Sequence, residues 1–579
     1  MRLSSSIKVK ELSNDFPIGN EPGSIHKNWK NHHRIALVYP NTYAIGMTNL
    51  GFQRLYQCFN DREDFLCERV FLPEDRDPKP KLLLKSCESG RSLQDFDILA
   101  FSISFETDYV NVLRILKMAG IPLRSQDRRK GRFPVILAGG CGITVNPEPL
   151  SDFIDLFCIG EGEAFIDPFC DSYSKNRPIK ELLEGFCQIP GVYVPSHYEF
   201  SYEGNLIKEI RQIGTGPKKI LRLITKNLDP VPTQTVVIPV ESPFRNMFMI
   251  ETGRGCKWAC RFCASGYIYR FPREKGFQAL KEACDQALKT GMRIGLVGSD
   301  MSCHSYIWDL MEYILDQGGE PSLSSIRVEA IDERMASLIA RTGIRTMTLA
   351  PDGGSFRLRR VLNKNMPDEM VEKAAERLLD AGIKNIKLYF MIGLPTEEER
   401  DIKQLIILCE KIRNLMKARA SKLGYMGMVS LSINPFIPKP GTPFQWVGLE
   451  PKKIIEKRFQ MIRKALVPQG NFKVELESYR SCYLQAFFSR GDRRAGQILE
   501  RMLETGHSID QCAKEMVNEL QYIPKNQIHR TWDFSEELPW GLMDHGFHPG
   551  YLEKEMRRGY QTKLIPLCDP KICHLCGIC

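Results

Sequence analysis

Two stretches of the chain repeat one unit, a short apolar run followed by an amphipathic segment, and this alternation restricts the fold more than any other feature. Between Arg34 and about Tyr193 the runs are Arg34–Tyr39 (RIALVY), Ile98–Ser104 (ILAFSIS), Val135–Ala138 (VILA) and Leu156–Ile159. Segments with helical spacing, Ile45–Phe59 and Tyr109–Ala119, lie between them. Continuous apolar runs suit strands buried on both faces, and parallel neighbours need a crossover, so the pattern predicts a parallel sheet covered by helices. Ligands on such sheets bind at the carboxyl ends of the strands. Gly139-Gly140 and Gly160-Glu161-Gly162-Glu163 fall there.

A second series begins at Met247. Its strand candidates are Met247–Glu251, Ile294–Gly298, Ser325–Ala330, Thr346–Ala350, Ile386–Ile392 and Val429–Asn434, separated by helical segments such as Ala279–Thr290 and Met370–Ala381. Six such repeats predict an α/β barrel, partial or complete, whose site lies at the strands' C-terminal face. After Pro443 the pattern turns helical, through Lys452–Leu466 and Gly496–Thr505, before a Cys-rich end. The predicted fold class is α/β. It comprises a tail over 1–30, a Rossmann-like domain over 31–200, a connector over 201–242, a partial (β/α)6 TIM barrel over 243–445, a mostly helical extension over 446–560 and a Cys-rich tail over 561–579. A length of 579 residues is too great for one core and fits several units.

With 43% hydrophobic and 26% charged residues the composition is that of a globular protein, which excludes a disordered or collagen-like chain. Met1–Phe16 has no apolar core of a secretory signal, and no run reaches the length of a spanning helix, so a cytoplasmic protein with no membrane partner is expected. The net charge of +10 is a modest excess that a solvated surface explains. The locally basic Arg124–Arg132 and Arg357–Lys364 leave a nucleic-acid partner open.

Nineteen cysteines in a chain of this kind point to metal or redox chemistry rather than disulfides. Twelve are scattered and read as small buried apolar residues; seven fall in two groups. Cys256, Cys260 and Cys263 form CxxxCxxC in a glycine-flanked loop after the strand Met247–Glu251. Three thiolates are one short of the usual four-cysteine cluster and would leave one iron open. The alternative is a zinc site completed elsewhere, although structural zinc usually takes two paired motifs. Cys568, Cys573, Cys576 and Cys579 form C-x4-C-x2-C-x2-C, a donor set for zinc or for an iron–sulfur cluster. Such a centre could carry electrons, anchor substrate or only order the tail.

The context GRGCKWACRFCASG, with Phe262 ahead of the last cysteine, resembles the signature of the radical S-adenosylmethionine superfamily. LAPDGGSFRLRRVLNK at Leu349–Lys364 and YFMIGLPTE at Tyr389–Glu397 resemble later strand ends of its barrel. The resemblance spans about Met247 to Phe444. It implies a 4Fe–4S cluster on Cys256, Cys260 and Cys263, with S-adenosylmethionine on the open iron and reductive cleavage to a 5′-deoxyadenosyl radical. It also implies backbone contacts from Gly266 to Tyr269 to the methionine moiety, and Gly393 beside the adenine. Ser299, Asp300 and Asp352 could bind methionine or ribose, or cap helices. An external electron donor such as flavodoxin or ferredoxin is implied as well.

The α/β domain ahead of the barrel resembles the cobalamin-binding domain of one branch of that superfamily. That domain carries Asp-x-His-x-x-Gly after its first strand; here Asn41, Tyr43 and Gly46 occupy the pattern, and the cobalt-ligating imidazole is absent. Ser102, Ser104, Gly139 and Gly140 would line the nucleotide tail and the corrin edge. Two outcomes follow: cobalamin binds without a histidine ligand, or the domain keeps the fold and binds no corrin. TYAIGMTNLG at Thr42–Gly51, SRGDRR at Ser489–Arg494 and the terminal cysteines are similar to an uncharacterised subfamily of that branch. The arginines of SRGDRR could meet an anion, or form a solvated turn. The implied reaction is cobalamin-dependent methylation of an unactivated carbon in a small molecule, peptide or RNA. The alternatives are a corrin-independent rearrangement, sulfur insertion, or a non-catalytic metal-dependent factor that binds RNA or protein.

Overall fold

The computed structural model describes residues 18–74, 84–324 and 326–579. Strands β1 (His33–Thr42), β2 (Phe65–Leu72), β3 (Ile98–Ser102), β4 (Val135–Gly139), β5 (Leu156–Cys158) and β6 (Val192–Tyr193) form one sheet in the order β2-β1-β3-β4-β5-β6. Every pair is parallel except β5 with β6. Ser102 stands opposite Gly139, and Gly139 opposite Cys158, so β3, β4 and β5 end level and form a rim.

β2 is the strand that apolar runs do not announce, because Glu68 and Arg69 interrupt it. Arg69 is buried between Glu21, at 2.9 Å, and Glu88, at 2.6 Å. Glu21 belongs to the predicted tail, yet it is buried and also accepts from the Tyr43 hydroxyl at 2.7 Å. Residues 1–17 of that tail lie outside the described residues.

The second series forms two parallel arcs. β7 (Met247–Glu251), β8 (Arg293–Val297) and β9 (Pro321–Leu323) pair in that order, as do β10 (Thr346–Asp352), β11 (Asn385–Ile392), β12 (Val429–Pro435) and β13 (Phe472–Leu476). Among the described residues no ladder joins β9 to β10. Two expectations are corrected here. The third strand precedes Ser325–Ala330; Ser325 lies outside the described residues, and Val328–Ala330 is one 3₁₀ turn. β13 falls in the stretch expected to be helical. It alternates exposed Lys473 and Glu475 with inward Phe472 and Val474, the period of an edge strand.

SRGDRR is neither a solvated turn nor an anion site, since its groups are consumed inside the protein. Arg490 is fully buried, lies over the Trp532 ring at 4.0 Å and donates to the carbonyls of Gln527, Gln445, Val447 and Arg530. Arg493 binds Glu148 at 2.8 Å, and Ser489 binds Glu106 at 2.7 Å. The motif therefore clamps the C-terminal helices onto the first sheet. Among the described residues no helix is long and apolar enough to cross a membrane.

Candidate functional site

The loop after β7 carries Cys256, Cys260 and Cys263 and is pinched at its base, where Gly253 and Arg254 pair antiparallel with Glu274 and Arg273. Gly255 has φ +74°, and a Cβ there would lie 2.5 Å from the Tyr269 carbonyl oxygen, so only glycine lets the loop fold back this closely. Cys260 is buried, and Cys256 and Cys263 are half-buried. The Cys263 amide donates to the Cys260 carbonyl at 3.0 Å, and the Gly266 amide to the Cys263 carbonyl at 3.1 Å.

Burial first, then the neighbouring thiols, pushes Cys256 and Cys263 well above the ordinary cysteine range. Two thiols that resist ionisation beside Cys260 are groups whose thiolates a cationic centre would stabilise. Arg327 Nη1 lies 3.6 Å from Cys260 Sγ, its guanidinium sits over the Trp258 ring at 3.9 Å, and Glu329 holds its other edge at 2.7 Å. Three soft donors, a fixed cation and a loop that closes through glycine fit an iron–sulfur cluster.

A cavity of about 460 Å³ opens beside this loop, within the range of cofactor sites. One wall is the rim of the first sheet, with Ser102, Ser104, Gly139, Gly140 and Cys141; the other is Gly253, Arg254, Gly255, Tyr269 and Ser299. Sequence reasoning missed several of its parts. Asn49 caps the helix Leu50–Asp61 by accepting from Phe52 and donates to Ser104 at 2.9 Å. Cys141, whose thiol burial pushes up to about 11, is the hydrogen-bond neighbour of the Tyr269 hydroxyl. Arg254 binds Glu161 at 3.1 Å, Glu163 at 2.6 Å and Glu251 at 2.8 Å, while Arg273 binds Glu161 at 2.7 Å. These ion pairs fasten the GEGE turn of the first sheet to the three-cysteine loop. Burial alone would raise Glu163, but Arg254 overcomes it and holds the carboxyl below its usual value.

Other expected residues lie elsewhere. Tyr43 points into the Glu21–Arg69 network, Asn41 donates to Asp108 at 2.9 Å, and a Cβ on Gly46 would meet the Phe71 ring. None of the three is on the cavity walls, nor is any histidine. Phe262 packs against the main core. Asp300 accepts from the Ser302 amide at 3.1 Å, a capping role, and from Trp258 Nε1 at 2.6 Å. Asp352 ends β10 with φ +64°, binds Lys364 at 2.6 Å and lies within the field of Cys263. Gly393 has φ +82°, and its amide is already bound by Glu397 at 3.1 Å.

Two sequence profiles match the chain: "Radical SAM proteins, N-terminal" over residues 51–195 and "Radical SAM superfamily" over residues 250–409. An uncharacterized protein of Methanocaldococcus jannaschii is 27% identical over 469 residues, 80% of this chain and 90% of that protein. The threonylcarbamoyladenosine tRNA methylthiotransferase of Drosophila melanogaster is 24% identical over 36% of this chain and 38% of its own length. Among solved structures, the cobalamin-dependent S-adenosylmethionine radical enzyme OxsB superposes with TM-score 0.48 at 13% identity, covering 92% of this chain and 80% of that one. SuiB of Streptococcus suis bound to S-adenosylmethionine gives 0.29 at 13% identity, over 40% of this chain and 50% of its own.

Proposed function

The chain belongs to the radical S-adenosylmethionine superfamily, and from that premise we propose that it is a corrin-dependent enzyme that methylates an unactivated carbon. One observation carries the reading. The cavity sets the carboxyl ends of the first sheet, Ser102, Ser104, Gly139 and Gly140, directly across from Gly253, Gly255 and Tyr269 of the three-cysteine loop. Ser102, Ser104, Gly139 and Gly140 would hold a corrin on the first wall, Gly253, Gly255 and Tyr269 would border the S-adenosylmethionine site on the second, and no histidine lines the cavity.

When bound, the cluster and S-adenosylmethionine supply a 5′-deoxyadenosyl radical and the corrin supplies a methyl group. Cys256, Cys260 and Cys263 would hold the cluster, and Arg327 sets positive charge beside Cys260. Arg254, through Glu161 and Glu163, keeps the two walls in register. The Cys141 thiol beside it, and then burial, push the Tyr269 hydroxyl up, so it keeps its proton and, with its hydrogen-bond neighbour Cys141, ties the two cavity walls together. The substrate class remains small molecule, peptide or RNA, and a one-electron donor such as flavodoxin or ferredoxin would supply the reducing equivalents.

The test is anaerobic reconstitution with iron, sulfide and hydroxocobalamin, followed by desalting, metal analysis and a visible spectrum. Stoichiometric corrin, with both 5′-deoxyadenosine and S-adenosylhomocysteine released on turnover, is the expected result. Iron retained without corrin would overturn the methylation reading. A second reading, sulfur insertion, draws on the second thiol group lying against the loop; a sulfur-bearing product would distinguish it.

A further inference from the structure

Cys568, Cys573, Cys576 and Cys579 are docked on the loop of the first three cysteines. The Cys568 amide donates to the Lys257 carbonyl at 2.8 Å. Asn363 bridges the two segments, donating to the Ala259 carbonyl at 3.2 Å and accepting from the Ile565 amide at 2.9 Å. Arg261 Nη2 reaches the Lys563 carbonyl at 2.6 Å. Ala259 and Tyr267 of the loop share one small apolar core with Tyr551 and Cys576. The four thiols lie within one another's fields, with Cys568 and Cys579 as hydrogen-bond neighbours.

A second observation points to something anionic between them. Arg270 is 1% exposed, and its Nε and Nη1 have no hydrogen-bond partner. The groups that act most strongly on its charge are Tyr551, Cys568, Cys576 and Tyr267. A buried guanidinium is stable only when its donors and charge are satisfied, and two of the tail thiols, Cys568 and Cys576, stand among the groups that face it here. Thiolates bound to a metal centre would supply the missing anion.

We infer that these four cysteines hold an auxiliary iron–sulfur centre, and that it relays single electrons to the cluster of the first loop. The chemistry favours iron over zinc. All four donors come from one segment of twelve residues, and the last three are two residues apart as in ferredoxin ligation, whereas structural zinc draws on two separated pairs. The placement favours a relay. Cys579 is exposed and Cys573 half-buried, while Cys568 is buried against Lys257. One electron from a low-potential donor reduces the auxiliary centre, and the same electron passes inward to the first cluster. The auxiliary centre returns to its oxidised state, and no atom or proton changes place.

This inference rests on the reading of the first loop as a cluster site, and the test separates the two. Full-length protein is reconstituted with iron and sulfide as wild type, as Cys256→Ala/Cys260→Ala/Cys263→Ala, and as Cys573→Ala/Cys576→Ala. The triple variant leaves the tail intact and should keep about half the wild-type iron and acid-labile sulfide, with an electron paramagnetic resonance signal after dithionite. S-adenosylmethionine should not perturb that signal. Zinc in its place, or no metal, overturns the inference. In the double variant the signal perturbed by S-adenosylmethionine should persist, and reduction of that cluster by reduced flavodoxin should slow several-fold. An unchanged rate overturns the relay. Loss of the perturbed signal from the wild type would instead sink the reading of the first loop.

Discussion

Arg254 Nη2 and Glu163 Oε1 meet at 2.6 Å across the boundary between the six-stranded sheet and the three-cysteine loop, 91 residues apart in the chain. Both side chains are largely buried, so each depends on the other to offset its desolvation. Arg254→Met leaves Glu161, Glu163 and Glu251 without their shared cation and should cost about 3–5 kcal/mol. Urea unfolding at neutral pH measures it. Glu163 is depressed below its ordinary 4.5, so its share of stability is complete above that value and is lost as pH falls through the folded value. The variant should therefore show a shallower acid limb than the wild type.

Asp108 gives the opposite sign. Burial pushes its carboxyl up to about 6 from 3.8, with Asn41 and Asn111 only partly offsetting the rise. A raised carboxyl destabilises as pH climbs from the unfolded to the folded value, and the penalty stays constant above both. Asp108→Asn should gain on the order of 1–3 kcal/mol at about pH 8, and the gain should vanish below the unfolded value of 3.8. A variant no more stable than wild type at the higher pH would refute the assignment.

Gly255→Ala tests loop closure. Adding a Cβ at φ +74° costs roughly 1–3 kcal/mol of backbone strain, before the clash with the Tyr269 and Phe271 carbonyls. Because the loop alone directs the three thiols, the iron perturbed by S-adenosylmethionine should be lost while overall helicity by circular dichroism is kept.

Arg327→Met removes the cation 3.6 Å from Cys260 Sγ. A cluster that gains negative charge on reduction is then harder to reduce, so its midpoint potential should fall in a redox titration. Arg327→Lys should restore only part of the shift, since an ammonium lacks the planar face that lies over Trp258 and the fork that meets Glu329. Equal potentials in all three proteins would exclude Arg327 from tuning.

What the sequence made legible was local. β1, β3, β4 and β5 are continuous apolar runs, and the spacing of Cys256, Cys260 and Cys263 is visible within eight residues because a single loop presents them. β2 was hidden because Arg69 and Glu68 are buried by ion pairs and hydrogen bonds rather than by apolarity. β13 was hidden because an edge strand exposes alternate charges. The cavity walls were half legible. Ser102, Ser104, Gly139 and Gly140 end strands, but their partners Arg254 and Glu161 meet only after folding, and no local pattern marks such a pair. The Asp-x-His pattern carried less than its place suggested, for Tyr43 turns inward to Glu21 instead of toward the cavity.

The strap formed by Asn363, Lys563 and Cys568 sets a timetable for synthesis. Arg261 and Lys563 are 302 residues apart, so at ribosomal speed the loop exists for about 15–60 s before the segment that braces it has been made. During that interval the three thiols are open to oxygen and to stray metals. Assembly machinery that delivers iron and sulfur has either to wait for the strap or to shield the loop until it arrives.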